Sequence, residues 1–125
     1  MIIDTNALSD FLRDQPEVVE IISGAAWLCL PVIVLGEYRY GVMHSRERRT
    51  LLPKLDECER RFPLLTVDAA TARFYALVKT ELKVRGQSIP ANDLWIAALS
   101  RQYQLPVLTR DKHFDLVRGL TRLHW

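Results

Sequence analysis

Apolar positions along the chain fall into two kinds of run that alternate. Short runs rich in Ile, Val and Leu, bounded by residues that break regular structure, stand at Met1–Asp4, Trp27–Leu30, Leu64–Val67, Val107–Thr109 and Thr121–His124. They are read as β-strands. Between them, apolar residues recur every three or four positions over 6–13, 16–23, 32–43, 46–61, 69–85 and 92–103, the spacing of helices that bury one face. The punctuation agrees: Pro16 and Pro31 stand where a proline opens a helix, Asp68 suits the N-cap of the fifth helix, and Gly86 follows its end. Asn6 and Asn92 are N-cap candidates for the first and last helices, and Pro53 is expected to kink or divide the fourth. Strands alternating with helices predict parallel strands joined by crossover helices. The chain is therefore read as one α/β domain over 1–125, a parallel central sheet flanked by α-helices in an α/β/α sandwich.

In such a sheet, ligands bind beyond the carboxyl ends of the strands. Asp4 stands there after the first strand, and Asp111 two residues after the strand PVLT. Two further acids look inward. Asp93 shares a helix face with Ile96, Ala97 and Ser100, and Glu37 is the only acid in the apolar and aromatic stretch PVIVLGEYRYGV. Gathering such carboxylates is costly: two unit charges about 4 Å apart at an effective dielectric near 20 repel by roughly 4 kcal/mol. Several such pairs rival the roughly 5–15 kcal/mol by which a domain is stable, so the cluster needs protons, basic partners or a bound cation. With oxygen donors and neither Cys nor His at ligand spacing, the suited cations are Mg²⁺ or Mn²⁺. His44, His113 and His124 stand singly and are assigned no metal or catalytic role.

The formal net charge of +2 says little, but its distribution says more. The basic residues are mostly arginine, whose planar fork suits phosphate. They gather in RERR (Arg46, Arg48, Arg49), in Arg60–Arg61, and in the last quarter with Arg101, Arg110, Lys112, Arg118 and Arg122. Neutralising the four acids by a cation leaves 17 bases against 15 − 4 = 11 acids, the layout of an enzyme acting on polyphosphate. At 49% hydrophobic and 26% charged residues, the composition excludes a disordered chain. No apolar run reaches the roughly 18 residues of a spanning helix, and the N-terminus lacks the pattern of a secretion signal, so a cytoplasmic protein is expected. Cys29 and Cys58 form no CxxC pair and are read as reduced thiols. Trp27, Trp95 and Trp125 are expected to pack rather than to stack on bases. A phosphoacceptor receiver domain, also α/β and of this length, wants an acid pair after the first strand; DTN supplies one acid.

The four motifs MIIDTN, VLGEYRYGV, IPANDLWIAA and LPVLTRDKHF, in this order along essentially the whole chain, resemble the PIN-domain ribonucleases. Within that family they are similar to the toxin subunits of VapBC-type toxin-antitoxin modules. The resemblance implies that Asp4, Glu37, Asp93 and Asp111 form an acidic quartet holding one or two Mg²⁺ or Mn²⁺ ions. It implies hydrolysis of RNA phosphodiesters, tRNA or ribosomal RNA, leaving a 5′-phosphate and a 3′-hydroxyl. It assigns Thr5, Asn6 and Thr109 to hydrogen bonds with the acids or bound water, and leaves Asp115, four residues beyond Asp111, as a secondary contributor. Arg46, Arg48, Arg49, Arg110 and Lys112 are the expected RNA-binding residues. A homodimer and a VapB-type antitoxin are the implied partners, the antitoxin laid over a groove of the early helices, where Ala7, Leu8, Phe11, Leu12, Val18, Val19, Ile21 and Ile22, with Tyr38 and Tyr40, offer more apolar surface than one sheet face could cover. The alternative is a PIN fold that binds RNA or protein without cutting; the intact quartet argues against it.

Overall fold

The computed structural model describes all of residues 1–125. Its five strands are only two residues long: β1 (Ile2–Ile3), β2 (Leu30–Pro31), β3 (Leu64–Leu65), β4 (Val107–Leu108) and β5 (Arg122–Leu123). They alternate with α1 (Thr5–Leu12), α2 (Pro16–Ser23), α3 (Val32–Met43), α4 (Arg48–Arg61), α5 (Ala69–Val84) and α6 (Ala91–Tyr103), and a short 3₁₀ helix, Lys112–Leu116, follows β4.

Every strand pairing is parallel. Ile2 and Ile3 pair with Val107 and Leu108, these with Arg122 and Leu123, and Leu30 and Pro31 with Leu64 and Leu65. A bridge between Ile2 and Cys29 joins the two groups, the Ile3 amide donating to the Cys29 carbonyl at 3.0 Å. The order is β3-β2-β1-β4-β5. Ile2 and Ile3 point to opposite faces, and both are fully buried, as are Val107 and Leu108. Helices therefore cover both sides of the sheet, as parallel strands require. Each such aliphatic side chain stabilises the fold by roughly 1.5–3 kcal/mol, which holds strands too short to be secured by their own hydrogen bonds.

Several local expectations are corrected. The second strand lies later than 27–30: Cys29 makes only the bridge, and Trp27 is 79% exposed rather than packed. Trp95 does pack, stacked on Tyr75 with centroids 4.1 Å apart. Pro53 does not divide α4, because it lies on the exposed side of that helix, where the carbonyl it cannot serve is open to water. Pro16 is the first residue of α2 and Asp68 caps α5 in a reciprocal box with Thr71, both as predicted, whereas Pro31 closes β2 and caps α3 from outside. Asn6 and Asn92 cap nothing: Asp4 caps α1, and Pro90 precedes α6.

Strand order places the site. From β1 the chain builds outward to β2 and β3, then crosses to the other side of β1 for β4 and β5. The crevice between the carboxyl ends of β1 and β4 is the point where that order reverses, and there an open α/β sheet binds its ligand.

Candidate metal centre at the reversal of strand order

Asp4 ends β1 and caps α1, and it is 5% exposed. Its carboxylate accepts three hydrogen bonds, from the Thr5 amide at 2.7 Å, Asn6 Nδ2 at 3.0 Å and Thr109 Oγ1 at 2.6 Å. Thr109 follows β4 and is fully buried. Its hydroxyl gives its one proton to Asp4 and accepts from Asn6 Nδ2 and from the Asp111 amide, each at 2.9 Å, so its donor and both lone pairs are used. The Asn6 carbonyl oxygen accepts from the Arg110 amide at 3.1 Å. Thr109 and Asn6 thus lace the ends of two neighbouring strands together around one carboxylate.

Glu37 projects from α3. One of its oxygens accepts from Thr5 Oγ1 at 2.8 Å and the other from Asn92 Nδ2, near the start of α6. Asp93, in the first turn of α6, and Asp111, in the loop after β4, meet across the His113 ring: Nδ1 lies 3.2 Å from Asp93 Oδ2 and 3.1 Å from Asp111 Oδ1. The His113 amide also donates to Asp111 Oδ1 at 2.8 Å.

The four carboxylates repel one another, and no Lys or Arg pairs with any of them. Burial raises the Asp4 carboxyl above its ordinary range, hydrogen bonds from Thr109 and Thr5 work against that, and the charges of Asp111 and Glu37 raise it further. Asp93 is pushed up to about 6, first by burial and then by the charges of Asp111 and Asp4, with His113 opposing. A cluster so short of positive charge fits a divalent cation. Asp93, Asp111 and His113 each present a ligand atom, all within 4.8 Å of one another.

The sequence reading missed three features of this centre. His113 joins it, although no spacing between histidines points there; its partners are carboxylates from another helix and from its own loop. Asn92 serves Glu37 instead of capping α6. Asp115 turns away, with Arg122 Nε 2.6 Å from Oδ1 and Nη2 3.0 Å from Oδ2, and it takes no part in the hydrogen bonds of the four acids. Among the basic residues, Arg110 reaches Asp10 at 2.8 Å and lies over the Trp125 ring. Lys112 is exposed, as are Arg46, Arg48 and Arg49 at the start of α4, where Arg48 and Arg49 share a cleft with Arg60.

Residues 1–120 match the family described as PIN domain. The chain belongs to the PIN-domain family. It is 31% identical to toxin FitB of Neisseria gonorrhoeae over 89% of this chain and 87% of that protein. It is 33% identical to ribonuclease VapC5 of Mycobacterium tuberculosis over 70% of this chain and 67% of that one. Among solved structures, it superposes on a chain of the VapBC2 complex of Rickettsia felis, bound to a promoter DNA fragment, with a TM-score of 0.86 and 26% identity, covering 99% of this chain and 97% of that one. As a PIN domain of this group it is a nuclease by family, and its four acids lie at the reversal of strand order in the PIN sheet. No helix in it is long and apolar enough to cross a membrane.

Proposed function

We propose that the chain is a divalent-metal-dependent endoribonuclease, cutting tRNA or ribosomal RNA as the toxin of a VapBC-type module in the cytoplasm. One observation carries the reading: Asp4, Glu37, Asp93 and Asp111 converge from four separate elements onto one crevice with His113 as their only basic neighbour. Mg²⁺ or Mn²⁺ is the cation these acids would hold, and when bound it supplies the Lewis acidity and charge neutralisation that phosphodiester hydrolysis needs. Thr5, Asn6, Asn92 and Thr109 fix the carboxylates before substrate arrives, so little reorganisation accompanies the reaction. Arg46, Arg48 and Arg49, together with Arg110 and Lys112, hold the RNA backbone through contacts that weaken with salt.

The partner reading has its own support. Between α1, α2 and α4 lies a groove of about 990 Å³ lined by Phe11, Leu12, Val19, Ile22 and Phe62, with exposed Trp27 at its rim. An apolar segment of a VapB-type antitoxin fits there, and the toxin itself acts as a homodimer.

The deciding experiment incubates total RNA with protein freed of antitoxin, in Mg²⁺ or Mn²⁺ against EDTA, beside Asp4→Asn and Asp93→Asn. Cleavage that needs the cation and disappears in both variants is expected. Binding of RNA without any cation-dependent cleavage would turn the reading towards a silent RNA-binding PIN domain.

A further inference from the structure

The position of His113 bears on which cation the centre takes. Its Nδ1 lies between two carboxylate oxygens that belong to different elements, 3.2 Å from Asp93 Oδ2 and 3.1 Å from Asp111 Oδ1. Only the approach to Asp93 Oδ2 has the geometry of a hydrogen bond, which leaves the one to Asp111 Oδ1 as a contact without it. The spacing has another meaning. Neighbouring ligands on an octahedral ion with bonds of about 2.1 Å stand about 3 Å apart, which is how far Nδ1 stands from each oxygen. The ring is held in that place by its own backbone. Asp111 caps the 3₁₀ helix that carries His113, accepting from the His113 amide at 2.8 Å. The same carboxylate therefore fixes the loop and faces the imidazole. With Nδ1 turned inward, Nε2 is left for solvent or substrate, and the side chain is 48% exposed.

Resting on the proposed metal-dependent function, we propose that His113 is a ligand of the centre through Nδ1, alongside Asp93 and Asp111, and that the site therefore prefers a first-row transition cation such as Mn²⁺ to Mg²⁺. Mg²⁺ is served by oxygen donors and keeps its waters, whereas an imidazole nitrogen gains affinity along the transition series. A donor set of carboxylates alone would not make that distinction; the ring does.

The test uses the full chain stripped of metal. Mn²⁺ is titrated in and followed by electron paramagnetic resonance, Mg²⁺ affinity is measured by competition, and the loaded protein is examined for spin-echo modulation from a ring nitrogen. His113→Gln keeps a polar side chain of similar reach, and His113→Ala serves as a second variant; thermal unfolding of both shows that the fold is kept. Wild-type protein is expected to show nitrogen modulation that both variants lack. Mn²⁺ affinity is expected to fall about tenfold or more in both, the scale on which even groups outside the ligand shell weaken a metal site, while Mg²⁺ affinity changes by about twofold or less. Wild-type Mn²⁺ binding without nitrogen modulation, or equal weakening of both cations, overturns the assignment but leaves the metal-dependent nuclease standing. Failure of the wild type to bind Mn²⁺ any better than Asp93→Asn removes both together.

Discussion

The two halves of the acidic centre are built on different physics. On the inner side, Asp4 is buried and saturated: three donors reach it, and the Thr109 hydroxyl that joins it to β4 has no capacity left. On the outer side, Asp93 and Asp111 face each other across one half-exposed ring, and beyond that ring the only donor among their partners is the His113 amide, which serves Asp111. Hydrogen bonds set the first half in place as the chain folds, whereas burial with few donors, and then charge repulsion, leave the second in need of a cation. A folded protein can carry such frustration only locally, and it tends to do so where function requires it.

The largest test of this contrast replaces each acid by its amide. Cleavage is expected to fall on the order of a thousandfold in both Asp4→Asn and Asp93→Asn, because each removes a charge the cation needs. Stability should split them. An amide at position 4 sets an N–H against another donor in either orientation, at Asn6 Nδ2 or at the Thr5 amide, and leaves a buried group unsatisfied at a cost of about 1–3 kcal/mol. Burial penalises the charge at both positions, but at position 93 the amide removes it without setting an N–H against a buried donor. Thermal unfolding in EDTA at pH 7 should show Tm lowered by Asp4→Asn and raised by Asp93→Asn; a fall in both would mean that the outer half is as hydrogen-bonded as the inner.

Acidity probes the outer half directly. Asp93 is raised from 3.8 unfolded to about 6 folded, so protons bind the native state more tightly. Its contribution to stability is complete below about pH 4 and is lost as pH rises through about 6, on the order of 3 kcal/mol in all. Urea unfolding of metal-free protein should therefore find Asp93→Asn matching the wild type near pH 4 and exceeding it at pH 7. Saturating Mn²⁺ should close the gap at pH 7 by stabilising the wild type alone. A gap that does not change with pH would remove charge as the reason for the frustration.

Much of this was legible in the chain, and what was not has a common cause. Spacing within an element is written in the sequence: Asp93 shares its face with Ile96, Ala97 and Ser100, all three buried, and the acids after β1 and β4 stand at the strand ends. Contacts between distant elements are not. Asn92 reaches Glu37 across 55 positions and Thr109 reaches Asp4 across 105; local rules read Asn92 as a cap, and only the family resemblance places Thr109 and Asn6 beside the acids. Spacing among histidines says nothing of His113, whose partners are acids on another helix and in its own loop. Residue type alone suggests packing for Trp27, and nothing local tells that β2 starts after it.

A smaller effect probes the inner lattice. Thr109→Val keeps shape and removes a hydroxyl that makes three hydrogen bonds, leaving the Asp111 amide and one Asn6 proton without that acceptor. A loss of about 1–3 kcal/mol is expected, with Thr109→Ser restoring most of it. Cleavage should fall less than in Asp93→Asn, since Thr109 positions the acids and carries no charge for the cation.

The smallest expected effect settles which acid of the last loop belongs to the centre. Asp115 lies four residues beyond Asp111, but its two oxygens are taken by Arg122, which in turn also reaches the Thr109 carbonyl at 3.4 Å. That pair is open to water on its Asp115 side, and pairs so exposed contribute little to stability. Asp115→Ala should therefore leave cation affinity and cleavage within about twofold of wild type, while Asp111→Ala, which unties both His113 and the outer half, abolishes both. Equal loss in the two variants would mean that Arg122 holds Asp115 in reserve for the centre, and the outer half would then contain one acid more than its hydrogen bonds show.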